Sequence, residues 1–286
     1  MFGNQFVLIT TTFTFSVLIN SALALSPADK NWEDLQRRGI AALDANEYGV
    51  AEPLLRKALV LSQDFRPSDM RLAKSIAELG RLYTIRGQFS KAALYLEAEL
   101  RVKEQLLRNR QYECIPTMAS LIQFYFNYGM QNKSVPLTEK MLSLIDNRSK
   151  SKQASIIEWA IACDAVGDRF YSAHNFALAD KLFKAALNIK TTLLPSNHLS
   201  LANSYERMGN INLEKNDLAQ AEHYFSDALR ITEKILPSES HEVHARLDKL
   251  AKCKISMKKA SQVQAQKADE TAIPFVVIIQ KDPKNL

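Results

Sequence analysis

Glycine and proline keep time along this chain. Among only 8 glycines in 286 residues, Gly39, Gly80, Gly167 and Gly209 fall at intervals of 41, 87 and 42. The long interval holds one further period, with Ile122 where the glycine would stand. Prolines follow at one fixed distance: Pro67, Pro195 and Pro237 each lie 28 residues after Gly39, Gly167 and Gly209. A period of about 42 residues constrains the fold before any local reading, because it demands copies of one supersecondary unit stacked on each other. With 8 glycines and 9 prolines in all, little sequence remains for loops, which points to helices.

Within each period the apolar residues recur at helical spacing. In the fifth repeat Tyr205, Met208, Gly209 and Asn212 share one face of a first helix, and Ala221, Phe225 and Ala228 share one face of a second. The fourth repeats this with Cys163, Val166, Gly167 and Phe170, then Ala179, Phe183 and Ala186. The second has Ile76, Leu79, Gly80 and Tyr83, then Ala92, Leu96 and Glu99. The first has Leu35, Arg38, Gly39 and Ala42, then Ala51, Leu55 and Ala58. The third is more degenerate: Met118, Leu121, Ile122 and Tyr125, then Ser134, Thr138 and Met141. Glycine in a helix costs roughly 1 kcal/mol against alanine, so its recurrence implies close approach. The expected arrangement sets a glycine of the first helix against an alanine of the second, with large residues one turn away. Short polar turns at Ala45 to Glu47, Arg86 to Gln88 and Lys215 to Asp217 join antiparallel neighbours. Pro53 and Pro136 are expected in the first turns of second helices.

This pattern resembles the tetratricopeptide repeat, in the longer kinesin-light-chain-like form. Ala51 to Leu59 and Leu194 to His198 carry that resemblance most clearly. It implies an all-α fold, an α-solenoid of about five antiparallel helix pairs plus a C-terminal capping helix. The solenoid is expected over residues 31–260, in units 32–67, 73–110, 115–148, 160–195 and 202–237. A capping helix over 241–268 and a tail over 269–286 complete the chain. Departures are Arg38, Glu99 and the whole third unit, which is expected to be distorted. The resemblance also implies a non-catalytic scaffold that holds a protein or peptide in a concave groove lined by first helices. Carried onto this chain, the groove would use Lys74, Arg81, Gln123, Phe126, Asp164, Asp168, Tyr171, Asn203 and Asn210. Gln36, Ile40, Ala77, Thr84, Ala119, Asn127, Glu206 and Leu213 belong to the same faces. The Lys/Asn/Arg clamp of chaperone-tail-binding members is not reproduced.

The ends of the chain read differently. Residues 1–29 contain no Lys, Arg or Glu, and Phe6 to Ile19 is apolar and Thr-rich. Ala22 and Ala24 then form a small-x-small site, so residues 1–24 read as a signal peptide for export, to the periplasm or medium if the source is bacterial. The alternative is an uncleaved membrane anchor over Phe6 to Leu25. Between Ala245 and Lys267, Arg246, Lys249, Lys252, Lys254, Lys258, Lys259 and Lys267 face Asp248 alone, which accounts for the net charge of +6. The remainder is balanced, so no nucleic-acid footprint is expected. This helix is expected to bury Leu247, Leu250, Ala251 and Ile255 and to present a polar back. Lys249, Lys252 and Lys259 would then be a basic surface for an anionic membrane or envelope, the alternative function. The tail Ile273 to Ile279 is β-branched and apolar; it would add to a partner's sheet edge or pack on the solenoid. Cys114, Cys163 and Cys253 are too few for a disulfide framework and read as structural or free thiols. His241 and His244 lie three residues apart without a third ligand, so neither a metal nor another cofactor is expected. No phosphate loop or nucleophile elbow is present, and no reaction is assigned.

Overall fold

The computed structural model describes residues 26–66, 69–149 and 157–271. The segment 1–24 read as a signal peptide, Pro67 and the tail from Ile273 to Ile279 lie outside the described residues. Eleven α-helices follow in order among the described residues. They are α1 (Pro27–Asp44), α2 (Tyr48–Gln63), α3 (Arg71–Ile85), α4 (Phe89–Leu106), α5 (Ile115–Asn127) and α6 (Ser134–Ser149). Then come α7 (Ile157–Ser172), α8 (Phe176–Leu193), α9 (Leu199–Glu214), α10 (Leu218–Glu233) and α11 (His241–Thr271). They form two compact units that divide after Leu144, within α6. In the N-terminal unit α1 packs on α2, α3 on α4, α2 on α3, and α4 on α5. In the C-terminal unit α7 packs on α8, α9 on α10, α8 on α9, and α10 on α11. The architecture is all-α, of stacked helix hairpins.

Every hairpin turns the same way. The residue seven after the glycine position has positive φ in all five: Asn46 61°, Gly87 70°, Gly129 75°, His174 58° and Asn216 58°. The next amide closes the turn onto a carbonyl five residues back, as in Glu47 to Ala42 at 2.8 Å and Asp217 to Asn212 at 2.8 Å. That is a Schellman stop, and it satisfies carbonyls the helix would otherwise leave unpaired. Asn adopts this left-handed conformation readily; His174 is the one bulky residue made to do so.

The slot glycines make room for a side chain. A Cβ on Gly39 would lie 2.7 Å from Leu55 Cδ2, and one on Gly80 2.8 Å from Leu96 Cδ2. On Gly167 and Gly209 it would lie 2.5 Å from Cε1 of Phe183 and of Phe225. The expected glycine–alanine approach is thus corrected: the glycine receives the Leu or Phe of the second helix, and Ala51, Ala58, Ala179, Ala186, Ala221 and Ala228 are buried one turn to either side. In repeat three the bulk changes sides. Ile122 stands in the slot and Thr138 replaces the Leu or Phe, both fully buried. The Thr138 hydroxyl donates to its own helix at Ser134 O, 2.8 Å away. That repeat also has the shortest first helix, 13 residues, set between two 3₁₀ turns.

Two expectations of detail fail. Pro53 stands in the second turn of α2; Pro136 is in the first turn of α6. On α11 the buried residues are Val243, Arg246 and Cys253, with Leu250 partly covered. Leu247, Ala251 and Ile255 are exposed instead. The helix has two adjacent apolar stripes, and Ala221 and Phe225 of α10 take the one containing Leu250 and Cys253.

Candidate functional site

Within each unit, polar side chains about 42 residues apart tie a first helix to the next: α1 to α3, and α7 to α9 to α11. In the N-terminal unit the Trp32 Nε1 donates to Ser75 Oγ at 2.9 Å, and Arg81 pairs with Asp44 at 2.6 Å. Arg71 lies 3.6 Å over the Phe65 ring and pairs with Asp69 and Asp29. Asp29 also caps α1 through Ser26. Its hydrogen bonds from Arg71 and Ser26 hold its carboxyl at about 2. In the C-terminal unit Arg207 of α9 grips Asp168 of α7 with two bonds of 2.8 Å. The Tyr171 hydroxyl donates to Glu214 at 3.1 Å. Arg246 of α11 reaches Asn203 and Glu206 of α9, and Lys249 pairs with Glu206. Asp168 is the main reason Arg207 is held above its ordinary value.

A second set of braces links a second helix to the hairpin after it. Glu52 of α2 accepts from Tyr83 at 2.6 Å and pairs with Arg86 at 2.5 Å. Asp180 of α8 pairs with Lys215 at 2.8 Å in the equivalent position of the C-terminal unit. Both carboxyls are lowered. For Glu52 the Tyr83 bond is the leading cause. For Asp180 burial pushes upward, but the bonds from Lys215 and Lys184 outweigh it.

These bonds reassign several expected groove residues. Asp164 is buried, bound to the buried Lys190, which also donates to Ser204 Oγ at 2.8 Å. Asp164 is therefore no solvent-facing ligand group; its charge offsets a lysine that would otherwise be buried unpaired. Asp168, Tyr171, Asn203 and Arg81 lie on the expected faces but hold neighbouring helices. Lys249 keeps part of its side chain at the surface and pairs with Glu206, while Lys252 and Lys259 are exposed. Lys74 is exposed on α3, Gln123 and Phe126 are half-buried on α5, and Asn210 is half-buried on α9. Gln36 and Ala119 are buried.

Two aliphatic side chains also face outward on the first helices of the C-terminal unit. Ile161 of α7 is 59% exposed and Leu213 of α9 is 36% exposed. Ile161 is not among the groove residues expected from the sequence, although its position in the repeat is. It occupies the position that Lys74 and Asn203 hold in their repeats, six before the slot, so aligning the repeats would find it.

The thiols and imidazoles carry no gathered chemistry. Cys114, Cys163 and Cys253 are buried and free, and burial pushes Cys114 up to about 11 and Cys163 up to about 12. Such thiols are inert as nucleophiles. His198 caps α9, its Nδ1 accepting from Ser200 N at 3.1 Å. His241 and His244 are exposed, and among the described residues no three His, Cys, Asp or Glu gather as a metal site. No described helix is long and apolar enough to cross a membrane.

A family model of the tetratricopeptide repeat matches residues 166–234. Among solved structures, BtubC (BKLC) from P. vanneervenii is 18% identical, with 76% of this chain and 94% of that one covered at a TM-score of 0.50. A Podosopora anserina kinesin light chain with nearly identical TPR-like repeats is 20% identical, with 73% and 99% covered at 0.51. The apo form of RapI is 14% identical, with 90% and 76% covered at 0.53. At these identities the likeness is one of fold. No curated protein sequence matches the chain.

Proposed function

We propose that this chain, a tetratricopeptide-repeat protein of the kinesin-light-chain-like type, is a non-catalytic scaffold that binds another protein or peptide. The observation that carries the reading is the outward pair Ile161 and Leu213 on first helices α7 and α9. Leu213 lies within the stretch that matches the repeat model, and Ile161 stands just before it. The neighbouring charges are already engaged between helices, so they frame the surface rather than drive binding. Affinity then comes from covering these aliphatic side chains, and the Asp168–Arg207 pair, which lies between them along the helices, sets orientation. On the N-terminal unit Lys74, Gln123 and Phe126 are the equivalent candidates.

The test is crosslinking affinity capture from native extract with wild type and an Ile161→Asp/Leu213→Asp variant. Both positions are solvent-facing, so the variant should fold, as circular dichroism will show. Partners lost only in the variant support the reading. Identical partner sets remove it. Export is a separate proposal: the purified native protein should begin at Leu25, and a start at Met1 would leave the anchor alternative.

A further inference from the structure

Helix α11 keeps the register of a further first helix. Forty-two residues after Gly209 stands Ala251, in the slot position. In the five complete repeats the slot and the residue three beyond it are buried: Gly39 and Ala42, Gly80 and Tyr83, Ile122 and Tyr125, Gly167 and Phe170, Gly209 and Asn212. On α11 the corresponding Ala251 and Lys254 are exposed. Beside them Leu247 is 39% and Ile255 56% exposed. Nor does the chain turn back. Helix α11 runs through Lys258, seven after the slot, where each complete repeat has its positive-φ residue. Its other face already rests on repeat five through Leu250 and Cys253. The open stripe thus takes in, at Ala251 and Lys254, the face that a paired second helix covers elsewhere, and runs on through Ile255, the counterpart of Leu213; no second helix covers it among the described residues.

Charge decides what fits there. Lys252, Lys258 and Lys259 border the stripe, exposed and without an ion-pair partner among the described residues. Lys254 stands where the other repeats bury Ala, Tyr, Phe or Asn, 3.5 Å from Glu222. A second copy of this helix would set lysine against lysine. A helix with apolar residues on one face and carboxylates beside them matches both features. We propose that α11 docks an acidic amphipathic helix from another protein, in the place that a second helix takes in the five complete repeats. The site shares no residue with the Ile161 and Leu213 surface, so each stands or fails alone.

The test uses the full chain and a labelled synthetic helix of about 18 residues, with Leu on one face and Glu on its flanks, followed by fluorescence anisotropy. A control peptide carries Lys for every Glu. The acidic peptide should bind and the basic one should not. Leu247→Asp/Ile255→Asp should abolish binding with the thermal melt unchanged. Lys252→Glu/Lys258→Glu/Lys259→Glu should weaken it about tenfold, and added salt should weaken it too. Equal binding of both peptides, or no binding, overturns the proposal. So does retention on anionic-lipid vesicles in place of the peptide, or a dimer that Leu247→Asp/Ile255→Asp dissociates. Binding that appears only after residues 272–286 are deleted would assign the stripe to the chain's own tail, and also overturns it.

Discussion

Repeats two and four each bring a lysine to the same place, 23 residues after the slot: Lys103 in the N-terminal unit and Lys190 in the C-terminal unit. Each reaches forward to a hydroxyl 14 residues on, Thr117 at 2.9 Å and Ser204 at 2.8 Å. They differ in where the counter-charge sits. Lys103 takes Glu99 from its own helix at 2.5 Å, whereas Lys190 takes Asp164 from the first helix of its pair. The positions are complementary: repeat two has Ala77 where repeat four has Asp164, and repeat four has Ala186 where repeat two has Glu99. Glu99, a departure from the family pattern when read alone, is thus the displaced half of an arrangement that recurs within this chain. The difference lies in burial. Lys190 is 2% exposed and spans two helices, while the Lys103 side chain is 23% exposed and paired within one.

The comparison breaks most visibly at Asp164. Asp164→Ala leaves Lys190 buried without its acid and should cost about 3–5 kcal/mol. Glu99→Ala leaves Lys103 nearer water and should cost well under half of that; urea denaturation of the two variants gives the ratio. An Asp164→Ala/Lys190→Met double variant should recover much of the loss, since an apolar pair replaces an orphaned charge.

The slots sharpen the contrast next. Gly167→Ala and Gly209→Ala press a Cβ against a phenyl ring and should each cost about 1–3 kcal/mol. Gly80→Ala meets chiefly the tip of the half-buried Leu96, which can rotate, whereas Gly39→Ala also meets Cγ of the fully buried Leu55 at 2.9 Å and should cost about 1 kcal/mol more. At Gly80 the helix propensity of alanine, worth about 1 kcal/mol, should leave the balance near zero. Phe225→Leu in the Gly209→Ala background should restore part of the thermal stability. A smaller effect is expected at the turns. His174→Gly relieves a left-handed residue and should gain about 1 kcal/mol, while Asn216→Gly should change little.

The smallest effect is in acid. Asp29 ionises at about 2 when folded against an ordinary 3.8. A lowered folded value means its contribution is present above about 4 and is lost as pH falls toward 2. An NMR titration of Asp29 should place its midpoint near 2, and Arg71→Gln should move it up toward the ordinary value.

The hairpins were legible because glycine, proline and alanine recur at one period, and the Schellman turns obey the same register at Asn46, Gly87 and Asn216. The degenerate third repeat was legible in outline; that Ile122 and Thr138 exchange bulk emerges only when both positions are seen buried. The site was less legible. Asp164, Asp168, Asn203 and Arg81 have the polarity of a ligand face, and periodicity alone does not reveal a partner 26 to 43 residues away. The terminal helix misled for a related reason. Its two apolar stripes are equivalent by sequence, and only the packing of α10 selects one.

The most direct test separates braces from binding surface. Wild type, Asp168→Asn and Ile161→Asp/Leu213→Asp should be compared for thermal midpoint and captured partner in the same extract. The prediction is a lower midpoint with the partner retained for Asp168→Asn, and an unchanged midpoint with the partner lost for the aliphatic variant. Loss of the partner with Asp168→Asn at an unchanged midpoint, with the aliphatic variant still binding, would return the charged residues to the ligand site and contradict the assignment.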